Sequence, residues 1–255
     1  MTQETGTAPL AGRSAVVTGG GSGVGAAMAL AFAKAGAQVR IAGRRTGPLE
    51  AVAARHERIA WTVADVTDEA SVEALFDRAG PVDIVVANAG AAESAPFTRT
   101  GRDLWDRMIA LNLTGVFLTL RAGMKAMRDP AWGRLIGVAS TAGLKGYPYV
   151  SAYTAAKHGV VGLTRALALE VARTGITANA LCPGFLDTEM TERSAATIAE
   201  ATGMTPDDAR ARLAASNPQQ RLIDPEEVAA TALWLCQDAA AAVNGQAIAL
   251  SGGEI

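Results

Sequence analysis

The chain has 255 residues, of which 49% are hydrophobic and 19% charged, and its formal net charge is -2. This composition is typical of a globular protein, and α/β chains of this length often fold as one domain. The near-neutral charge, without a long basic run, argues against a nucleic-acid-binding protein. Two cysteines and two histidines are too few for a disulfide framework or a histidine-rich metal site, so no metal is expected.

The N-terminal segment, residues 1–12, is polar and rich in small residues, and we predict a flexible tail there. It lacks the apolar core of a signal peptide. No run of about 18 apolar residues predicts a membrane span. We therefore expect a cytoplasmic protein without a membrane partner.

Residues 13–255 alternate short apolar runs with segments of helical spacing. In the first half, strands are predicted at Ser14–Gly19, Gln38–Ala42, Trp61–Ala64 and Val82–Ala87, and helices at Ala26–Gly36, Pro48–His56 and Asp68–Ala79. In the second half, strands are predicted at Arg134–Ala139, Thr177–Leu181 and Gly245–Leu250, and helices at Asp103–Met127, Ala152–Arg173 and Pro225–Gln237.

Helix-terminating residues accompany several of these segments. Gly36 suits a C-cap, and Thr67 is predicted to cap the helix that follows it. Asp224 and Glu227 predict a capping box around Pro225. Continuous apolar strands between helices indicate a parallel sheet covered on both faces, which right-handed crossovers turn into a single-domain, doubly wound α/β fold.

The region from about 186 to 221 departs from this alternation. It is polar and alanine-rich, with a helix start at Thr205–Asp208, and it follows the carboxyl end of a predicted strand. Ligands of open α/β sheets bind at that edge. The region is therefore either a substrate lid or an ordinary helical excursion.

The segment TGGGSGVG, Thr18–Gly25, joins the first predicted strand to the first helix. Glycines permit a tight turn and allow backbone amides to approach a phosphate at a helix N-terminus. The spacing is G-x-x-x-G-x-G, which differs from the G-x-G-x-x-G of many dinucleotide binders. Because of its position, we interpret it as a phosphate-binding loop. Its contact residues would be Gly19, Gly21, Ser22, Gly23, Val24 and Gly25.

The end of the second strand should distinguish the two nicotinamide dinucleotides. A carboxylate there would bind the adenosine ribose of NAD, whereas an arginine would bind the 2'-phosphate of NADP. This chain has Arg44 and Arg45 and no carboxylate, which favours NADP, although both could be solvated surface charges and NAD remains possible. Asp65, followed by Val66, either accepts from the adenine amine or caps a turn.

Tyr153 and Lys157 are four residues apart on a predicted helix, so they share one face. A free tyrosine has a pKa near 10, and a nearby cation favours the phenolate. The spacing therefore predicts either a proton donor with a lowered pKa or a tyrosine packed on a lysine stem. His158 lies about 100° away around the helix, which favours packing over chemistry. Tyr147 and Tyr149 have no lysine four residues later.

With Asn88–Gly90, Asn112, Ser140 and Pro183–Gly184, these motifs resemble the short-chain dehydrogenase/reductase family from about Arg13 to Gly253. The family often has NNAG, where this chain has ANAG. The resemblance implies a Rossmann-type fold, Tyr153 as general acid in reduction, Lys157 lowering its pKa, Ser140 polarising the substrate oxygen, and Asn112 supporting a water. It also implies cofactor contacts from the residues Asn88, Ala89, Gly90, Tyr153, Lys157, Pro183, Gly184 and Thr188.

The stretch Tyr153–Phe185 is similar to ketoreductases of acyl-thioester and aromatic-polyketide pathways and to 3-hydroxybutyrate dehydrogenases. The latter bind a carboxylate with polar residues where this chain has Ala92, Ala142 and Val150. We therefore expect a bulky or apolar ketone, or a 3-oxoacyl thioester. Lys145 or Arg193 could meet a phosphate of a carrier arm or be solvated. The expected pocket comprises Ala91, Ala92, Ala142, Leu144, Tyr147, Tyr149, Phe185 and Leu186.

Two other functions stay open at this point. One is an NAD-dependent alcohol dehydrogenase that works oxidatively. The other is a non-catalytic regulator that senses NADP, which could lose the tyrosine or the lysine at no cost. The resemblance also implies a homotetramer, assembled through helices 103–127 and 152–173 and the last strand.

Overall fold

In residues 8–255, which the computed structural model describes, seven parallel strands form one sheet. The strands are β1 Ser14–Thr18, β2 Gln38–Gly43, β3 Ile59–Val63, β4 Ile84–Ala87, β5 Gly133–Val138, β6 Ile176–Pro183 and β7 Ala247–Leu250. Their order in the sheet is β3-β2-β1-β4-β5-β6-β7. Each predicted strand is present, with its ends displaced by a few residues at most.

The strand order reverses beside β1, which lies between β2 and β4. Val16 of β1 is in register with Arg40 of β2 on one side and with Val85 of β4 on the other. In a doubly wound sheet, this switch point opens a crevice at the carboxyl ends of the strands. The predicted doubly wound fold is confirmed.

Helices cover both faces of the sheet. They are α1 Gly23–Lys34, α2 Thr46–Ala53, α3 Glu69–Ala79, α4 Arg102–Ile109, α5 Gly115–Lys125, α6 Ser151–Val171, α7 Glu189–Thr202, α8 Pro206–Ala215 and α9 Pro225–Leu235. Helices α1 and α9 pack on one face, and α3, α5 and α6 on the other. Val17 and Val16 lie in the two different cores, because successive side chains of a strand point to opposite faces.

Two local predictions at the helix ends are confirmed. Gly36 follows α1 with a φ of 99°, and its amide donates to the Ala33 carbonyl. Asp224 and Glu227 form the predicted capping box of α9. These ends follow from local chemistry, because a left-handed residue or a capping side chain satisfies backbone groups within a few residues.

Two other local predictions are wrong. Asp68, and not Thr67, caps α3, since the Asp68 carboxylate accepts from the Ala70 amide at 3.1 Å. The tail does not extend to residue 12, because Leu10 is fully buried and its amide donates to the Ala35 carbonyl at 2.8 Å. The remainder of the predicted tail, residues 1–7, lies outside the described residues.

The predicted long helix 103–127 contains a change of helix type. Helices α4 and α5 are joined by a π-helical turn, Ala110–Thr114. Wider turns of this kind often occur at functional sites. Asn112 lies at the centre of this turn and is fully buried.

The departing region after β6 forms α7 and α8, which pack against each other around a small core of their own. Ala195, Ala209, Leu213 and Leu222 are the buried residues of this core. Salt bridges from Arg210 to Asp187 and Glu192 connect its surface. We name residues 186–221 the α7–α8 excursion.

Within residues 8–255, no helix is long and apolar enough to cross a membrane. The same range contains no group of three or more His, Cys, Asp and Glu side chains that could hold a metal ion. Cys182 and Cys236 are free and buried.

Candidate active site

The glycine loop passes from β1 into α1 with little space for side chains. Gly19 and Gly23 have φ values of 67° and 51°, a region that side chains disfavour. A Cβ at Gly19 would lie 2.8 Å from the Asn88 amide nitrogen, and one at Gly25 would overlap the Gly19 carbonyl oxygen. Because α1 begins at Gly23, the first backbone amides of α1 have no partner within the helix, and such a helix start fits a phosphate.

Thr18 and Asn88 connect the glycine loop to the end of β4. The Asn88 amide group donates to the carbonyls of Thr18, at 3.0 Å, and Gly19, at 3.2 Å. The Thr18 hydroxyl in turn accepts from the amides of Asn88 and Ala89 and donates to the Val86 carbonyl. These bonds hold the two strand ends that flank the switch point.

The carboxyl ends of β2 and β3 carry the predicted adenosine contacts. Arg44 and Arg45 are exposed, and within residues 8–255 neither side chain forms a salt bridge or hydrogen bond. Asp65 accepts from the Thr67 amide, at 2.9 Å, and from its hydroxyl, at 2.7 Å, as the turn-cap alternative predicted. These bonds, with a smaller contribution from Arg44, hold the pKa of Asp65 below its usual value. Val66 is buried.

Gly90 marks the place where β4, the π-helical turn and α6 meet. A Cβ there would lie 2.8 Å from the Asn112 carbonyl oxygen and 3.6 Å from Lys157 Nζ. Only a glycine fits this approach without displacing a neighbour. The structure thus brings the Asn88-Ala89-Gly90 segment, Asn112 and Lys157 together.

Asn112 uses its side chain to hold the segment after β4. Its Oδ1 accepts from the Ala91 amide at 3.2 Å, and its Nδ2 donates to the carbonyls of Ala91, at 2.9 Å, and Met108, at 3.1 Å. Oδ1 keeps one lone pair free, since a carbonyl oxygen accepts two hydrogen bonds. That lone pair is the group available for the water-holding role predicted for Asn112.

Ser140 follows the end of β5 and begins a short 3₁₀ turn, Thr141–Gly143. Its hydroxyl accepts from the Ala142 amide at 3.1 Å and so caps this turn. The turn packs closely on α6, because a Cβ at Gly143 would lie 2.7 Å from the Lys157 carbonyl oxygen. Gly143 therefore allows Ser140 to approach the helix that carries the predicted proton donor.

Lys157 is almost completely buried in α6. Its Nζ donates to the Val138 carbonyl at 2.8 Å and lies 5.5 Å from the centre of the Tyr153 ring. Burial lowers the pKa of Lys157 from 10.5 to about 8, because a buried ammonium is poorly solvated. Lysine and tyrosine share one face of α6, as their spacing predicted.

The phenol of Tyr153 lies beside Ser140. Burial raises the pKa of Tyr153 above its usual value, and the hydrogen bond with Ser140 lowers it by less. The predicted lowering is therefore wrong for the protein's own groups. The reason is geometric: the ammonium of Lys157 donates to a backbone carbonyl instead of to the phenolic oxygen.

The end of β6 returns the chain to the glycine loop. Pro183 ends the strand, and the Gly184 amide donates to the Leu250 carbonyl at 2.9 Å. Thr188 is the N-cap residue of α7, and its Cγ2 would lie 3.3 Å from a Cβ at Gly23. The structure thereby brings Thr188 beside the glycine loop.

The residues of the expected substrate pocket differ in burial. Ala142 is buried, whereas Tyr149 is 64% exposed and has a φ of 69°. The Tyr147 ring packs edge-to-face on Phe185, with ring centres 6.3 Å apart. The other members range from partly buried to exposed: Ala91, Ala92, Leu144 and Leu186.

The charged residues considered for a carrier phosphate are already paired. Lys145 Nζ lies 2.8 Å from Oε1 of Glu254, and Arg193 lies 3.6 Å from Glu189 one turn away on α7. The alternative in which Lys145 is simply solvated is wrong, because Glu254 is brought to it from the C-terminus. His158 is exposed, and its Nδ1 contacts the Thr154 carbonyl in its own helix.

The family described as short chain dehydrogenase matches residues 13–199. The chain belongs to this family. A D-beta-hydroxybutyrate dehydrogenase of Rhizobium meliloti is 36% identical over 252 residues, covering 94% of this chain and 98% of that protein. A putative ketoacyl reductase of Streptomyces coelicolor is 39% identical over 249 residues, covering 94% and 95%.

Solved structures agree with this short-chain dehydrogenase in fold. An actinorhodin polyketide ketoreductase variant with NADPH has a TM-score of 0.91 and 35% identity, covering 95% of this chain and 97% of that one. A levodione reductase has a TM-score of 0.90 and 36% identity, covering 96% and 98%. The short-chain dehydrogenase is therefore an oxidoreductase that interconverts a ketone and an alcohol with a nicotinamide dinucleotide.

Sequence reasoning missed three residues that shape the site of this short-chain dehydrogenase. The sequence predicted Thr18 only as the start of the glycine loop, and Gly143 was not singled out. Glu254 carried no sequence signal, because it lies 107 positions from its partner Tyr147. A threonine directly before the glycines and a glycine three residues after the serine were the only available hints.

Proposed function

We propose that this short-chain dehydrogenase is an NADP-dependent reductase of a bulky or apolar ketone or of a 3-oxoacyl thioester. The observation that carries the proposal is the meeting of Ser140, Tyr153 and Lys157 at the sheet edge that holds the glycine loop. Phosphate-binding turn, proton donor and buried cation thus adjoin one crevice.

In this proposal Tyr153 donates its phenolic proton to the carbonyl oxygen of the ketone. Ser140 donates a hydrogen bond to the same oxygen and orients it. When bound, NADPH would supply the hydride for the carbonyl carbon. Lys157 would hold the ribose side of the cofactor, and Asn112 would support the water that returns a proton to Tyr153.

The direction of the pKa shift suits the proposed role of Tyr153. Burial raises the pKa of its phenol and so favours the protonated form. A protonated phenol is the form that donates, whereas alcohol oxidation requires the phenolate as base. The same group would work oxidatively only where the bound cofactor's positive ring lowers the pKa.

The proposed cofactor contacts surround the switch point. The glycine loop binds the pyrophosphate, and Arg44, assisted by Arg45, binds the 2'-phosphate of NADP. Exposed guanidinium groups without a partner in residues 8–255 suit this role, since an arginine fork matches phosphate geometry. The remaining contacts proposed are Asp65, Val66, Asn88, Ala89, Gly90, Tyr153, Lys157, Pro183, Gly184 and Thr188.

The proposed substrate follows from the side chains beside Tyr153. Tyr147, Phe185 and Leu186 offer aromatic and apolar surface. Ala92 and Ala142 stand where the resembling 3-hydroxybutyrate dehydrogenases hold a carboxylate. Relatives named ketoacyl reductase support the same choice.

The test is the rate of NADPH and NADH oxidation, measured side by side on apolar ketones and a 3-oxoacyl thioester. We expect turnover with NADPH. Faster alcohol oxidation with NAD would favour the oxidative alternative. Binding of NADP without turnover on any ketone or alcohol would favour the regulator.

An Arg44→Ala variant tests cofactor choice. We expect KM for NADPH to rise roughly tenfold and KM for NADH to change little, because one charged hydrogen bond to phosphate is lost. Arg55→Ala is the control, since Arg55 is also exposed but follows α2 away from the strand ends. Equal effects on both cofactors would reject the role of Arg44.

A homotetramer in the cytoplasm is part of the same proposal. Phe117 and Met124 of α5 and Leu169 of α6 are exposed apolar side chains on the helices predicted to pair. The two free cysteines suit a reducing compartment. Sedimentation giving a monomer mass would contradict the tetramer.

A further inference from the structure

The last turn of the chain places a carboxylate beside the substrate side of the crevice. The Glu254 side chain is only 7% exposed, and its Oε1 receives Lys145 Nζ at 2.8 Å and the Tyr147 hydroxyl at 2.7 Å. Buried carboxylates are rare unless they are paired. Glu254 is therefore held in place by two donors from one loop.

The directions of these hydrogen bonds follow from chemistry. A carboxylate only accepts, so the Tyr147 hydroxyl donates its proton to Glu254. The Thr141 hydroxyl, 2.7 Å from the same phenolic oxygen, then donates to Tyr147. The polar end of Tyr147 is thus fully engaged, and its ring alone is available to a substrate.

This cluster adjoins the proposed reaction centre on two sides. Thr141 directly follows Ser140, and Tyr147 packs on Phe185. A Cβ at Gly184, at the end of β6, would lie 3.5 Å from Oε2 of Glu254. Charge on Glu254 or Lys145 is therefore felt by any group bound between these elements.

We propose that Glu254 is a specificity-determining residue that neutralises Lys145 and so makes the pocket select neutral carbonyl substrates over substrates bearing a carboxylate. The inference rests on the proposed function, since it assumes that the ketone binds beside Ser140. It gives the site a substrate class: ketones, including 3-oxo esters and 3-oxoacyl thioesters, without a negative charge near the reacting carbonyl.

The physical basis is the local charge. With Glu254 and Lys145 paired, the loop has no net charge, and neither group is free to bind an anion. An unpaired lysine would attract a substrate carboxylate, and an unpaired glutamate would repel it. Such interactions are strong where water is partly excluded.

A four-member series tests this charge directly. Lys145→Met leaves a local charge of −1, the native protein and the Glu254→Gln/Lys145→Met double variant have zero, and Glu254→Gln has +1. The measured quantity is the ratio of kcat/KM for acetoacetate to that for its methyl ester. We expect the ratio to rise with charge, by roughly tenfold for Glu254→Gln, mainly through KM for the acid.

The controls separate charge from structure. The double variant should return to the native ratio, whereas a ratio that stays raised would mean that the packing of Glu254, and not its charge, matters. Glu189→Gln removes an exposed carboxylate of α7 and should leave the ratio unchanged. A ratio equal in all four proteins would overturn the proposal.

A binding measurement distinguishes failure of this inference from failure of the proposed function. The thermal shift of each protein with NADPH is recorded with butyrate and with butyramide, which differ in charge at similar size. If no ketone is reduced, the proposed function fails, and the inference is judged from these shifts. We expect Glu254→Gln alone to gain stabilisation by butyrate, and equal responses would reject it.

Discussion

The two sides of the crevice are built in different ways. Around the glycine loop, Thr18 and Asn88 hold backbone groups, and a Cβ at Gly19 or Gly25 would meet other atoms within 3 Å. The α7–α8 excursion instead packs around a small core of Ala195, Ala209, Leu213 and the adjacent Leu222, and it has exposed salt bridges such as those of Arg210. The glycine-loop side depends on the positions of backbone atoms, whereas the α7–α8 excursion depends on side chains that other residue types could replace.

This difference separates what the family shares from what each member selects. A cofactor that is the same in every turnover can be bound by a backbone cradle. A substrate that differs among relatives, from hydroxybutyrate to polyketides by their names, needs side chains that can vary. Four substitutions test this contrast.

The largest effect, a loss of kcat, is expected when the phenolic oxygen of Tyr153 is removed. Tyr153→Phe keeps the ring and removes the hydroxyl proposed as proton donor. General acid catalysis typically contributes about 10²–10⁴-fold, so we expect kcat to fall by that factor while NADPH still binds. Fluorescence titration measures NADPH binding. Tyr149→Phe, at a 64% exposed residue, is the control and should lose far less activity.

The next effect concerns the backbone cradle. Gly25→Ala forces a methyl group against the Gly19 carbonyl oxygen. We expect the free energy of unfolding, measured in urea, to fall by about 1–3 kcal/mol. NADPH affinity should fall as well, since the loop must move. Gly162→Ala is the control, because its added Cβ would meet no atom within 4 Å apart from its chain neighbours and the backbone of its own helix. It should gain about 0.5–1 kcal/mol of stability. Equal stability of the two variants would show that the cradle tolerates side chains.

The buried cation gives a pH-dependent effect. The pKa of Lys157 is about 8 in the folded protein, below its value of 10.5 in the unfolded chain. Between these values the unfolded chain binds more protons, so the contribution of Lys157 to stability rises with pH and is lost as pH falls through 8. The slope is at most about 1.4 kcal/mol per pH unit.

Urea unfolding of the native protein and Lys157→Met at pH 7, 8, 9 and 10 measures this slope. The difference between the two free energies should stay constant below pH 8 and change in favour of the native protein above it. A difference that does not vary with pH would mean that Lys157 keeps an ordinary pKa despite its burial.

The smallest effect is expected on the excursion. Arg210→Ala removes two salt bridges, at 2.7 Å to Asp187 and 2.8 Å to Glu192, all between exposed groups. Such pairs contribute less than about 1 kcal/mol each, and salt weakens them. Thermal unfolding in low and high salt checks this. A loss of stability as large as that of Gly25→Ala would contradict the proposed difference between the glycine loop and the α7–α8 excursion.

Much of the fold was predictable because its determinants are local. Apolar runs predicted all seven strands, and Gly36 and Glu227 marked helix ends through groups a few residues away. Thr67 failed as a cap because its hydroxyl donates to Asp65, while Asp68 accepts from the Ala70 amide. Two adjacent capping residues cannot be ranked from their types alone. Leu10 was assigned to the tail because its hydrogen bond to Ala35 and its place in the core exist only in the folded chain.

By itself, the sequence determined the succession of strands and helices along the chain and the position of the glycine loop. It also determined that Tyr153 and Lys157 share a helix face. These features depend on neighbours within a helical turn or a strand. Only the tertiary structure decided that Lys157 donates to Val138, that the pKa of Tyr153 is raised, and that Glu254 reaches Lys145. The reason is physical. Burial and long-range pairing are properties of the packed chain. No sequence pattern predicts a contact between two residues that lie about a hundred positions apart.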